Sequence, residues 1–257
     1  MKNILSRFKL VSYALIFMLL LTNICTAYAN EYLRAGSISK LSGEVNILKG
    51  GGEKTIKAFK GMSLTQGDTI ITGRNSSATI VIDKDLSFTI AENTKLLISQ
   101  LIESATKDSE ATSLNLQAGG VWTSIKKKLN VDSKYEVKTP TAVMGVRGTE
   151  FYTRYIRNVT DVSVLSGVVG INSYATRYDE DGTLELVRLE LVLESNQTVM
   201  FHAIPDIIGE FIIEELNLEK LDLFAIEMIK DLVETNPQIL IPGLVEKIDQ
   251  VYEKKLE

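Results

Sequence analysis

Residues 135–151 read Tyr135-Glu136-Val137-Lys138-Thr139-Pro140-Thr141-Ala142-Val143-Met144-Gly145-Val146-Arg147-Gly148-Thr149-Glu150-Phe151. The stretch opens with alternation, as a half-buried strand does. Thr139-Pro140 ends that strand, because proline has no N–H to give to a central ladder. Gly145 and Gly148 bracket Val146-Arg147 and permit tight backbone at both ends. Thr149-Glu150-Phe151 then restarts an alternating strand. Strand, stop, glycine-bracketed turn and strand in so short a span predict a β fold.

The same period extends outward from Gly36 to Ala203. Ser77–Ile82, Leu86–Ile90 and Leu184–Leu191 alternate, and Thr, Val and Ile suit a pleated, half-buried surface. Gly43, Gly61, Gly67, Gly73, Gly119-Gly120 and Gly167 punctuate the pattern. Asp181-Gly182 and Asp83-Lys84-Asp85 each read as a hairpin turn. Three segments resemble one another: Ile38–Val45, Leu114–Val121 and Val162–Val169 each run strand, small residue, glycine, strand. Their spacings are unequal, so they are read as similar bends in one sheet system rather than as a repeat array. Strands that turn sharply at glycine corners belong to sandwiches and solenoids. The expected fold is mainly β, a multi-stranded β-sandwich or solenoid-like domain followed by a C-terminal α-helical segment.

Beyond Pro205 the apolar period becomes helical. Leu221, Phe224, Ala225, Met228, Ile229 and Leu232 share one face of a helix expected over Leu218–Glu234. Ile241, Leu244, Val245, Ile248, Val251 and Tyr252 share another, running to about Lys255, with a break at Asn236-Pro237. A shorter helix is expected over Asp206–Leu216. At the other end, Lys2, Arg7 and Lys9 precede an uncharged, apolar Leu10–Ile24, and Ala27-Tyr28-Ala29 offers small residues for a signal peptidase. The predicted organisation is therefore a signal peptide over 1–29, a β domain over 30–203 and an acidic amphipathic helical tail over 204–257. Cleavage would leave Asn30 as the N-terminus and no retained membrane span; an uncleaved anchor is the alternative.

Composition limits the chemistry. The chain has 257 residues, one His and one Cys, with 28 Lys+Arg against 33 Asp+Glu. A single imidazole disfavours His-based zinc sites and a Ser-His-Asp triad, and a single thiol excludes an internal disulfide. The formal charge of -5 argues against nucleic-acid binding. Residues 30–203 carry twenty acidic and twenty basic groups, whereas 204–257 carry thirteen and five, so the excess negative charge lies in the tail.

The 135–151 segment resembles the hallmark of the FecR domain, a Thr-Pro … Gly-x-Arg-Gly-Thr-x-Phe run. Around it stand Gly43-Glu44-Val45, Gly61-x-x-Leu64-x-x-Gly67-Asp68-x-Ile70-x-Thr72-Gly73, Leu116-x-x-Gly119-Gly120-Val121 and Thr160-x-Val162-x-Val164-x-x-Gly167-x-Val169 in the family's order. The resemblance covers about 37–171, with extra strands over 172–203. It implies a non-catalytic envelope module that works by protein contact. In the best-known members such a domain relays a transporter signal to a cytoplasmic anti-sigma segment. Only nine residues precede the apolar stretch here, too few for that segment, so the resemblance carries over the domain and not the relay.

The family-motif residues Thr139, Pro140, Gly145, Arg147, Gly148, Thr149 and Phe151 are read as structural. Trp122 and Arg147 are the candidate binding residues: an indole beside Gly119-Gly120 could stack on a sugar, and a guanidinium between glycines could hold a carboxylate or phosphate. No catalytic, cofactor-binding or metal-ligating set is expected, since the plentiful carboxylates single out no pair. The expected role is an exported, non-enzymatic binding, scaffold or signalling protein of the bacterial envelope or exterior. Its partner would be an envelope protein or a cell-wall component, with self-association through the C-terminal helices as a further expectation. A membrane-tethered regulator and a carbohydrate-binding or carbohydrate-active β protein are the alternatives.

Overall fold

The computed structural model describes residues 31–106, 108–127, 130–146, 148–178, 181–202, 213–235 and 244–256. Arg147, the Ala27-Tyr28-Ala29 site, most of the expected 206–216 helix and the Asn236-Pro237 break lie outside them. The strands in chain order are β1 (Glu31–Leu33), β2 (Ala35–Ser42), β3 (Val45–Leu48), β4 (Thr55–Lys57), β5 (Ser63–Thr65), β6 (Thr69–Thr72), β7 (Ser77–Val81), β8 (Leu86–Ile90) and β9 (Lys95–Ser104). There follow β10 (Glu110–Ile125), β11 (Lys134–Lys138), β12 (Ala142–Val146), β13 (Glu150–Ile156), β14 (Val159–Ser166), β15 (Val168–Tyr178), β16 (Leu184–Glu194), β17 (Gln197–His202) and β18 (Glu214–Glu215). Among the described residues two helices follow, α1 (Leu223–Thr235) and α2 (Leu244–Leu256).

The ladders resolve into two open sheets that share one strand. Sheet I has the order β4-β3-β6-β9-β10-β11-β12-β15-β16. Sheet II has the order β5-β2-β7-β8-β10-β13-β14-β17-β18. All pairs are antiparallel except β10–β11. The sheets face each other across one apolar core, with Ile70, Leu96 and Leu114 from sheet I meeting Ile80, Phe88 and Phe151 from sheet II. The fold is a β-sandwich, mainly β with a helical C-terminus, in agreement with the pattern read from the sequence.

The sixteen-residue β10 begins in sheet I and ends in sheet II. The change of sheet occurs at Gly119, whose φ is +87°. Before that corner the inward residues are even-numbered (Leu114, Leu116), and after it they are odd-numbered (Val121, Ile125). The three similar glycine bends turn out to be three such crossings. Gly43 (φ +71°) passes the chain from β2 to β3, and Gly167 (φ +95°) from β14 to β15. A side chain at any of them would collide: a Cβ would lie 2.9 Å from Ser76 Cα at Gly43, 2.5 Å from Thr94 Cα at Gly119, and 2.5 Å from the Gly148 carbonyl at Gly167.

The tail departs from expectation in two places. Within the span expected as a 206–216 helix, Glu214-Glu215 is a strand that pairs with Gln197-Thr198. There the unpaired backbone of β17 captures the chain, and the Leu216 N–H also donates to the Asn196 carbonyl (2.8 Å). The helix expected from Leu218 starts at Leu223, after a single 3-10 turn over Leu218–Lys220. Asp222 sets that start by accepting the Ala225 N–H on Oδ1 at 2.9 Å, an N-cap contact. Among the described residues no helix is long and apolar enough to cross a membrane.

Candidate functional site

The outward residues of β10 and β13 form the best-defined polar site. Trp122 stands directly opposite Tyr152, and Ser124 opposite Glu150. On the other side Trp122 faces Thr89 and Ser124 faces Ser87. Because strand residues alternate, the same two strands send Val121, Ile125 and Phe151 into the core. Gly120 is required beneath Tyr152, since a Cβ there would lie 2.2 Å from the phenol oxygen.

The helical tail closes over this face. Trp122, Tyr152 and Leu165 form a second apolar cluster with Leu218, Leu221, Ala225, Ile226 and Ile229. The Trp122 and Tyr152 rings stack at 6.4 Å, and Phe224 leans on Tyr152 at 5.7 Å. Asp222 fastens the junction: its Oδ2 accepts the Tyr152 hydroxyl at 2.7 Å and lies 3.7 Å from Arg154 Nη1. Arg154 in turn donates to Asp161 through Nε (2.9 Å) and Nη2 (2.5 Å). Burial and the neighbouring Asp222 carboxylate push the Tyr152 hydroxyl well above its ordinary pKa, so it remains a donor. Lys230 joins α1 to α2 by an ion pair with Asp249 (2.8 Å) and lies 4.8 Å from the Tyr252 ring centre.

Between α1 and the hydroxyl-rich strands a groove of about 410 Å³ remains, lined by Ser77, Thr79, Ser87, Thr89, Trp122, Glu150 and the α1 residues Met228 and Asp231 among others. Glu150 is its distinctive group. The carboxyl is 5 % exposed, and it accepts the Trp122 Nε1–H on Oε2 at 3.2 Å and the Ser124 hydroxyl on Oε1 at 2.5 Å. Burial raises its pKa to about 7, with the two hydrogen bonds and the Lys126 charge acting the other way. The site therefore holds a carboxyl that changes charge near neutrality.

The residues singled out in the sequence fall in different places. Thr139 Oγ1 accepts the Ala142 N–H at 3.0 Å and lies 2.7 Å from Thr160 Oγ1, so it closes the β11–β12 turn that carries Pro140. Gly148 (φ +85°) and Thr149 make the β12–β13 sheet crossing, where Thr149 Oγ1 donates to the Val168 carbonyl at 3.0 Å. Phe151 is fully buried in the core. Gly145 lies in β12 opposite Gly170, on the outer side of sheet I. Trp122 is 3 % exposed, so a sugar could reach its face only if the tail lifted. Neither Glu150 nor Asp222 stood out in the sequence reading. The available signals were a carboxylate one strand position before the buried Phe151, and an aspartate three residues ahead of Ala225.

Residues 68–170 match the family model described as FecR protein. This stretch is a FecR domain. It runs from Asp68, whose buried carboxylate accepts the Gly50 and Thr65 N–H groups and pairs with Lys49 at 2.6 Å, to the β15 glycine opposite Gly145. No curated protein matches the chain. Two crystal structures from Parabacteroides distasonis, each described as a "putative anti-sigma factor", are similar at TM-scores of 0.42. The first shares 16 % identity over 61 % of this chain, and the second 15 % over 65 %. The chain spans 64 % of the length of the first and 72 % of the second.

Proposed function

We propose that the chain is an exported, non-enzymatic FecR-domain protein that acts by protein contact as a regulatory or binding module of the bacterial cell envelope. The FecR match over residues 68–170 carries the reading. Its supporting chemistry is that the described motif residues Thr139, Gly148, Thr149 and Phe151 are spent on turns, corners and core. What is left to meet a partner is surface, and contact is the activity such an arrangement serves. The basic, apolar and Ala-x-Ala order of residues 1–29 supports export with cleavage before Asn30.

The test is recovery of the full-length gene product from its native cells, with N-terminal sequencing and in-cell cross-linking. The proposal expects a chain starting at Asn30 in the envelope or medium, cross-linked to an envelope protein. An intact N-terminus held in the inner membrane would favour the tethered regulator. Cross-links to wall polymer alone would replace the protein partner with a cell-wall one.

A further inference from the structure

The four terminal strands of the two sheets are unequal. β4 and β5 have three residues each and β18 has two. Short edges of this kind limit edge-to-edge association. β16 is the exception: eleven residues, no proline, and an unbroken register against β15 from Leu184 to Glu194. Among the described residues β15 is its only ladder partner. Its outward side carries Arg188 and Glu190, both exposed, and Val192, 59 % exposed beside the half-exposed Val168.

The sequence of this edge is self-complementary. Residues 186–192 read Leu-Val-Arg-Leu-Glu-Leu-Val. Laid antiparallel on a second copy with Leu189 opposite Leu189, the strand places Arg188 opposite Glu190, Val187 opposite Leu191 and Leu186 opposite Val192, each pair twice. Directly opposed residues share a face in an antiparallel pair, and opposite charges there are favourable while like charges are not. A slip of the register either way sets Arg188 against Arg188, or Glu190 against Glu190. Of these three neighbouring registers, the Leu189-centred one alone is free of that repulsion and pairs both charges.

We infer that β16 pairs with β16 of a second copy of this chain, antiparallel about a two-fold axis at Leu189, joining two copies of sheet I into one continuous sheet. Such a contact is isologous and closes at two copies. It adds main-chain hydrogen bonds along the long edge, and Arg188 and Glu190, already paired within the strand at 3.0 Å, become a four-charge cluster with the partner's Arg188 and Glu190. The inference is independent of the export and envelope reading.

Two experiments on the full chain test it. In the first, sedimentation follows Arg188→Glu, Glu190→Arg and their mixture, at up to about 100 µM because edge contacts can be weak. The expected result is a dimeric wild type, two monomeric variants, and a heterodimer when they are mixed, since the mixture restores both charge pairs. In the second, Leu189→Cys in a Cys25→Ser background is exposed to copper phenanthroline. Opposed Cα atoms in a ladder lie about 4.5–5.5 Å apart, within disulfide reach, so a covalent dimer is expected. Val192→Cys should give none, because its two copies lie about 20 Å apart along the strands. A wild type that stays monomeric and forms no Leu189→Cys cross-link would overturn the inference. So would a dimer whose mass ignores both charge changes, as one held by the C-terminal helices would.

Discussion

Sheet II turns Trp122 and Tyr152 outward at opposed positions and buries both under the tail, whereas sheet I turns Gly145 outward opposite Gly170 and leaves them half-exposed. The two faces belong to one sandwich with one core, yet their glycines do different work. Gly119 and Gly120 serve contacts inside the chain, at Thr94 and Tyr152. A Cβ at Gly145 would meet only the Gly170 carbonyl, at 3.9 Å. A face can therefore be finished from within by its own helices, or remain open for something outside.

The difference can be broken first at the corner. Gly119→Ala places a methyl 2.5 Å from Thr94 Cα at a φ of +87°. It should destabilise the protein by at least about 3 kcal/mol in chemical denaturation, through overpacking and left-handed strain. Wild-type stability in that variant would mean the chain does not cross between sheets there.

Next in size is Glu150. Its pKa is about 7 in the folded protein and near 4.3 in an unfolded chain. The unfolded state therefore loses its proton first as pH rises. Stability contributed by the neutral carboxyl is complete below about pH 4 and falls until about pH 7, by roughly 3–4 kcal/mol. Glu150→Gln keeps an acceptor for Trp122 and removes the charge. Its gain over wild type should be largest at pH 8 and vanish by pH 4; a gain that did not change with pH would contradict the burial of this carboxyl.

Asp222→Ala removes the helix cap and the acceptor of the Tyr152 hydroxyl together. A loss of about 2 kcal/mol is expected, accompanied by faster amide exchange in α1. Exchange unchanged in α1 would show that the tail is held without this anchor. The smallest effect belongs to sheet I. Gly145→Ala should stay within about 0.5 kcal/mol of wild type, on the stabilising side, because the site is open and alanine orders more cheaply in a strand. A large loss there would reveal an internal contact that the bare face lacks.

Much of this was legible in the sequence, for physical reasons. Period-two alternation and glycine punctuation identify the β-sandwich, and the likeness of the Gly43, Gly119 and Gly167 segments marks three sheet crossings. What alternation cannot express is that β10 is one strand in two sheets. The shift of the inward residues from even to odd at Gly119 looks, in one dimension, like a break between strands. The helical period of the tail shows apolar faces, but not that they cover Trp122, about a hundred residues earlier, and Tyr152, about seventy residues earlier. That pairing depends on β13 lying beside β10, which no local pattern records. Glu150 escaped for the same reason: its neighbours Trp122 and Ser124 reach it across a ladder.

The tail is part of the fold and seals the outer face of sheet II over Trp122 and Tyr152. The chain contains a single tryptophan, Trp122, so its fluorescence reads that seal without labelling. In the protein ending at Glu257, Trp122 should emit as a buried indole and resist acrylamide. A chain ending at Leu216 should shift to the red and become quenchable, with the β-sheet circular dichroism retained. Equal quenching of Trp122 with and without the tail would mean that the helices do not cover it.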